Sequence, residues 1–203
     1  MNKWLQSCAN ARQTLKSMAS MLLDKRCPDL FLIYDELFIL AEEAEEKDCC
    51  TVVCGLCAAS YRLAGSANNI ANFAMQTLAT VNALSPNSRG SEETANAWQS
   101  FLLAASQSPQ QLQRVLLDHQ SAVQDFAEAL QDNYRNDLMH LTSEIGVLLE
   151  HPFVVADDSF HSRLQHQHDA LEDRLESLYE LGSQLLKHPI LGIDAANIVI
   201  LYE

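Results

Sequence analysis

Glycine, proline and aromatic residues are scarce in this sequence, with six glycines, five prolines and 7% aromatic residues among 203. This composition excludes collagen-like and low-complexity chains. Hydrophobic residues make up 48% of the chain, enough to bury a core and to argue against global disorder. We therefore expect a single globular domain over residues 1–203.

Long hydrophobic runs are also missing. The most apolar stretch, residues 51–84, is interrupted by Arg62, Asn68, Asn69 and Asn72. Since a spanning helix needs about 20 consecutive, predominantly apolar residues, we expect no membrane span.

Basic residues are few, 13 against 27 acidic ones, and the formal net charge is -14. A nucleic-acid binder must neutralise phosphates with Lys and Arg, so a nucleic-acid partner is not expected. Five of the basic residues lie in residues 1–26, where Asp24 is the one acid. We interpret this segment as a first helix packed on an acidic bundle; the alternative, a targeting segment over residues 1–26, stays open.

Motifs of the common enzyme classes are absent. The sequence has no Gly-x-Ser-x-Gly elbow, no phosphate-binding loop, no Gly-x-Gly-x-x-Gly and no Glu-x-x-His. These absences favour a non-catalytic protein.

Apolar residues recur at helical spacing through most of the chain. A first helix is expected to end near Lys25, because the residue before Pro28 is pushed away from helical geometry. Asp29 is then expected to cap a second helix, which runs into the acidic tract 42–46. Its apolar residues are Phe31, Leu32, Tyr34, Leu37, Phe38 and Leu40. Residues 50–84 are apolar nearly all round, which predicts a buried helix at the centre of the fold.

The remaining sequence adds further helices. Residues 85–91 are predicted to form a loop or hinge, and helices are predicted over 91–105, 109–149 and 158–187. Residues 190–203 fit either a strand or a helix. The sequence thus predicts an all-α, up-and-down bundle of five to seven helices.

A Leu-Leu-charged-His segment occurs three times, ending at His119, His151 and His188. This leaves helical-hairpin repeat character in the C-terminal half as an alternative. The simpler interpretation is that the two His-Pro segments share the chemistry of a helix end.

Four of the six cysteines lie within nine residues, and Cys50, Cys54 and Cys57 fall on one helical face. Buried cysteines often pack as small hydrophobes, so we expect this face to be a packing seam of reduced thiols in a cytoplasmic protein. The alternative is a metal-binding or redox bundle that holds Cu(I) or zinc with these thiols, joined by His119 or His168.

Two acidic tracts suggest the main function. One contains Glu42, Glu43, Glu45 and Glu46, and the other contains Glu172, Asp173 and Glu176. Acidic surfaces attract basic partners, as in adaptors, chaperones and inhibitors. We therefore expect an interaction protein without a cofactor that binds a basic protein partner through these carboxylates.

Overall fold

The computed structural model describes residues 3–83 and 108–200, and these residues contain no strand. The all-α prediction is confirmed. The longer helices are α1 (Lys3–Met21), α2 (Cys27–Glu46), α3 (Cys50–Ala83), α4 (Pro109–Glu128), α5 (Arg135–Leu149) and α7 (Asp158–Leu186); α6 (Pro152–Val155) and α8 (Ala196–Ile200) are short. A 3₁₀ turn, Pro189–Gly192, precedes α8. The predicted loop 85–91 and helix 91–105 lie outside the described residues.

The residues group into two compact units, each built from separated segments. Unit A contains the described residues of the ranges 1–20, 74–128 and 181–203, and unit B contains residues 21–73 and 129–180. The single domain over residues 1–203 stays a prediction.

Two π-helical turns mark places where the chain enters unit B. Leu22–Arg26 joins α1 to α2, and Ala129–Tyr134 joins α4 to α5. The predicted helix end near Lys25 is wrong because the π-helical turn keeps the chain helical. The Cys27 N–H donates to the carbonyl oxygen of Leu22, and Pro28 follows in the first turn of α2. Asp29 is accordingly inside the helix and does not cap it.

Unit B is an antiparallel four-helix bundle of α2, α3, α5 and α7. Contacts between neighbouring helices run in opposite residue order: Gly55 meets Leu148 and Phe73 meets Tyr134 between α3 and α5. Its core is a leucine-rich seam at helical spacing. The seam includes Leu30, Leu37, Leu40, Leu56, Leu63, Leu138, Leu141, Leu164, Leu171 and Leu178.

The packing of α3 differs from the prediction. Its bounds agree, but α3 is not buried all round. It has a buried face that includes Leu56 and an exposed face that includes Asn68, Asn69 and Asn72. Residues 50–82 are long and apolar enough to cross a membrane by length and composition alone, a test that core helices of soluble proteins also pass.

Unit A includes α1 and α4, and each of these helices has a buried apolar face. Leu5 and Leu15 of α1 and Leu112, Leu116 and Phe126 of α4 are all buried. The helix α4 also contacts the 3₁₀ turn and α8, and the side-chain amide of Gln120 donates to the carbonyl oxygens of Ile190 and Ile193 at 2.7 Å. Residues 196–200 are therefore helical, which decides between the two conformations left open for that part of the tail.

The two His-Pro segments have the same local structure. His151 and His188 are extended residues, with ψ of 133° and 131°, that follow the ends of α5 and α7. In each, the Nδ1 atom accepts the N–H of the second following residue, Phe153 at 3.2 Å and Ile190 at 3.3 Å. The interpretation as shared helix-end chemistry is confirmed, whereas His119 lies inside α4.

Acidification below about pH 6.5 should destabilise the fold. Burial lowers the pKa of His119 and of His188. In acid the unfolded chain therefore binds more protons than the folded chain. The stability that depends on neutral His119 and His188 is fully present above the ordinary His pKa of about 6.5 and is lost as the pH falls. Because an Asn oxygen can accept the Ile190 N–H without titrating, His188→Asn should flatten the pH dependence of the free energy of unfolding. The control His140→Asn changes an exposed histidine, and an equal pH slope in wild type and His188→Asn would contradict the assignment.

Two glycines of α3 should respond oppositely to alanine. A Cβ on Gly65 would meet nothing within 4 Å, so Gly65→Ala should stabilise the protein by about 0.5–1 kcal/mol through helix propensity. A Cβ on Gly55 would lie 2.7 Å from Cδ2 of Leu148, so Gly55→Ala should lose that gain. Urea unfolding measures both, and equal stabilisation by the two changes would contradict the close approach of α3 to α5.

Candidate partner-binding surface

The outer face of α2 in unit B carries exposed apolar side chains. Leu32 is 68% exposed, Phe38 and Ile39 are each 43% exposed, and Phe31 is 37% exposed. Phe31, Leu32 and Phe38 are among the apolar residues that the sequence assigns to this helix. Its buried seam, however, is formed by Leu30, Ile33, Leu37 and Leu40. The helix is therefore apolar on two faces.

Aromatic contacts order one edge of this face. The ring of Tyr34 lies 6.5 Å from the ring of Phe31 in an edge-to-face arrangement and 6.4 Å from the ring of Phe38 in a stacked one. Such pairs stabilise each other by about 0.5–1.5 kcal/mol. The three rings thus form a continuous aromatic row along the helix.

Carboxylates run between the apolar rows. At about 100° per residue, Asp35, Glu42 and Glu46 lie between the row of Phe31 and Phe38 on one side and the row of Leu32 and Ile39 on the other. All three acids are exposed. We call this set of seven residues the α2 surface.

The acids on the inner edge of α2 are used within the bundle. Nε and Nη2 of Arg163 in α7 both donate to Oε1 of Glu36 at 2.7 Å, and Nη1 donates to Oε1 of Glu43 at 2.5 Å. One turn or more away, Asp29 lies 3.4 Å from Arg174. Glu43, one of the predicted partner-binding residues, is therefore engaged with Arg163.

Lys47, the one base among residues 35–48, is also engaged within unit B. Its Nζ lies 2.7 Å from Oδ2 of Asp157, and this hydrogen bond raises the pKa of Lys47 and lowers the pKa of Asp157. For Asp35, Glu42 and Glu45, no basic side chain within residues 3–83 and 108–200 forms an ion pair. Asp35 and Glu42 of the outer row therefore have no basic partner in these ranges, whereas Glu46 lies near the Lys47 ammonium and contributes to its raised pKa.

The second predicted acidic site lies on α7. Glu172, Asp173 and Glu176 are all exposed, and they belong to unit B together with the α2 surface. One exposed large hydrophobic residue, Tyr179, lies on α7 three residues after Glu176, and its ring contacts the guanidinium of Arg135. The α7 carboxylates therefore have one exposed aromatic neighbour, whereas the acids of α2 lie between two exposed apolar rows.

The cysteine face is not a packing seam. Cys50 and Cys54 are exposed and Cys57 is half-buried, so the expected burial of this face is wrong. The apolar positions that pack α3 are instead Val52, Leu56 and Ala59. The buried cysteines are Cys8 and Cys27, and burial raises the pKa of the Cys8 thiol to about 12.

The two histidines considered as metal ligands lie in different units. His119 is buried in unit A, and its Nδ1 lies 2.7 Å from the carbonyl oxygen of Val115 in the same helix. His168 lies in unit B beside Asp169 and Glu172, and the three potential ligand atoms are within 4.8 Å of one another. In the part of the chain that the structure describes, this is the one such group of three, and it contains no cysteine.

No protein-family model, no curated protein and no solved structure matches the chain. The chemistry of these surfaces is therefore the basis for a functional proposal.

Thiol reactivity should separate the cysteines into classes. A soluble thiol reagent should modify Cys50 and Cys54 in the native protein, because both are exposed, whereas Cys8 and Cys27 should react only on unfolding. Mass spectrometry of proteolytic fragments measures the order of modification. Protection of Cys50 and Cys54 in the native protein would contradict the position of this face.

Proposed function

We propose that this protein is a non-catalytic binding protein whose α2 surface docks a basic, amphipathic segment of a partner protein. The observation that carries the proposal is the combination on one helix face of exposed apolar rows, including Phe38 and Leu32, with carboxylates that include Glu42. Neither feature alone selects a partner class. Together they match a segment that presents apolar residues on both sides of Lys or Arg.

Exposed apolar area supplies the affinity in this proposal. Apolar surface gains about 25 cal/mol for each Å² removed from water, and aromatic side chains are frequent among residues that dominate binding energy. Phe31, Tyr34 and Phe38 contact one another in the unbound protein. Their row is therefore partly preorganised, which lowers the conformational entropy lost on binding.

Charge supplies the selectivity. The carboxylates of the α2 surface disfavour an acidic partner and increase the association rate of a basic one. Arg163, which is about one-third exposed, lies between Glu36 and Glu43 and does not reduce the charge of the outer row. Since the partner's cations would lie near these exposed acids, ionic strength should weaken the complex.

The α2 surface is favoured over the α7 carboxylates, the other acidic site suggested by the sequence. Glu172, Asp173 and Glu176 have charge but only one neighbouring exposed large hydrophobic residue, Tyr179, whose ring already contacts Arg135. Exposed ion pairs contribute only about 0–1 kcal/mol each, so such a face attracts a partner without holding it. We further propose a reducing, cytoplasmic setting, which the six free cysteines support.

A synthetic amphipathic helix of Leu and Lys serves as the test ligand. We expect it to bind the full chain, and we expect Phe38→Ala to weaken binding about tenfold, equivalent to about 1.4 kcal/mol. Glu42→Gln should weaken binding less and should reduce its salt dependence. Isothermal titration calorimetry at low and high salt measures both effects.

Matched controls are available at the C-terminal end of α5 in the same unit. Val147 is 71% exposed and Glu150 is exposed, so Val147→Ala and Glu150→Gln make the same kinds of change away from the α2 surface. Both should bind the peptide as wild type does, and a peptide with Glu in place of Lys should not bind. The proposal fails if binding is indifferent to salt, or if Val147→Ala weakens it as much as Phe38→Ala does.

A further inference from the structure

His168, Asp169 and Glu172 place one imidazole and two carboxylates side by side on α7. The Nδ1 atom of His168 lies 3.5 Å from Oδ1 of Asp169, and one potential ligand atom from each of the three side chains lies within 4.8 Å of the other two. On a helix, residues four apart are neighbours on one face, which brings Glu172 back towards His168. These distances allow three ligands to meet at one ion after small rotations of the side chains.

The imidazole of His168 is oriented by its packing against α5. The His168 side chain is 17% exposed, and a Cβ built on Gly146 would lie 3.6 Å from its Nε2 atom. The ring therefore lies next to the backbone of α5 at Gly146, at a distance that an alanine there would also tolerate. With Nε2 on the side of Gly146, Nδ1 is the nitrogen directed towards the carboxylates.

The first carboxylate is also held in place. Gln165 donates a hydrogen bond to Oδ1 of Asp169 at 2.6 Å, and this bond, together with the contact to His168, lowers the pKa of Asp169. Asp169 is therefore ionised at neutral pH, as a metal ligand must be. Hydrogen bonds of this kind orient ligand side chains and support metal affinity.

We propose that His168, Asp169 and Glu172 form a binding site for a divalent transition metal of the zinc type. One nitrogen and two carboxylate oxygens suit Zn²⁺, whereas Mg²⁺ and Ca²⁺ prefer oxygen ligands alone. Three protein ligands leave a fourth position of a tetrahedral ion to water. The exposure of Asp169 and Glu172 makes the site weaker than a closed four-ligand structural site.

This site is separate from the α2 surface, since it uses no residue of that surface. The peptide test can be run in the presence of a chelator, and the zinc test can be run without peptide. Failure of either proposal therefore leaves the other standing.

The test uses the full chain in which the four cysteines between residues 49 and 57 are replaced by serine, because thiols at the surface also bind zinc. Calorimetric titration with Zn²⁺ should show one ion per chain. His168→Ala and Glu172→Gln should each weaken binding by about tenfold or more, as loss of a ligand or its support typically does. Circular dichroism checks that each variant keeps its helical signal.

Control variants on the same helix use neighbours outside the group of three. His166→Ala and Glu176→Gln remove an exposed imidazole and an exposed carboxylate and should leave zinc affinity unchanged. In an NMR titration, the imidazole resonances of His168 should move before those of His166. Absence of zinc binding, or equal loss of affinity in His168→Ala and His166→Ala, would overturn the site.

Discussion

The packing of α2 on α7 determines which face of α2 is exposed. Arg163 contacts Glu36 and Glu43, and Arg174 contacts Asp29, so the acids on the inner edge are neutralised inside unit B. The leucine seam fixes the same orientation by hydrophobic burial. Because the inner carboxylates are paired and the leucines are buried, the acids and aromatic rings that remain on α2 are directed away from the bundle.

Helical periodicity was sufficient to predict most of the core. The leucines of α7 and the apolar positions of α4 and α5 lie at 3.6-residue spacing, and burial follows that spacing, with Leu164, Leu171 and Leu178 all buried. The two His-Pro ends were equally readable, because the restriction that proline places on the preceding residue is local. The break expected at Cys27-Pro28 was wrong, because a π-helical turn absorbs the proline without ending the helix.

The exposure of the α2 surface could not be predicted from the sequence of that helix alone. Phe31 and Phe38 were visible as apolar residues, but their exposure depends on which of two apolar faces packs against α3 and α7. The sequence does contain a signal for this exposure. Leu30, Ile33, Leu37 and Leu40 already supply one complete apolar face, so the aromatic residues must lie on another face of the helix. The engagement of Glu43 by Arg163 joins residues 120 positions apart and follows only from the packing of α2 on α7. The burial predicted for the cysteine face was wrong because cysteine is often buried in proteins but residue type does not determine which face of α3 packs.

Carboxyl footprinting with mass spectrometry tests the proposed role of the α2 surface most directly. The protein is labelled with a carbodiimide in the free state and with the Leu/Lys peptide bound, and the modification of each acid is compared. The account predicts that Asp35, Glu42 and Glu46 are protected on binding while Glu172, Asp173 and Glu176 are labelled as before. Protection of the α7 acids with continued labelling of Glu42 would contradict it.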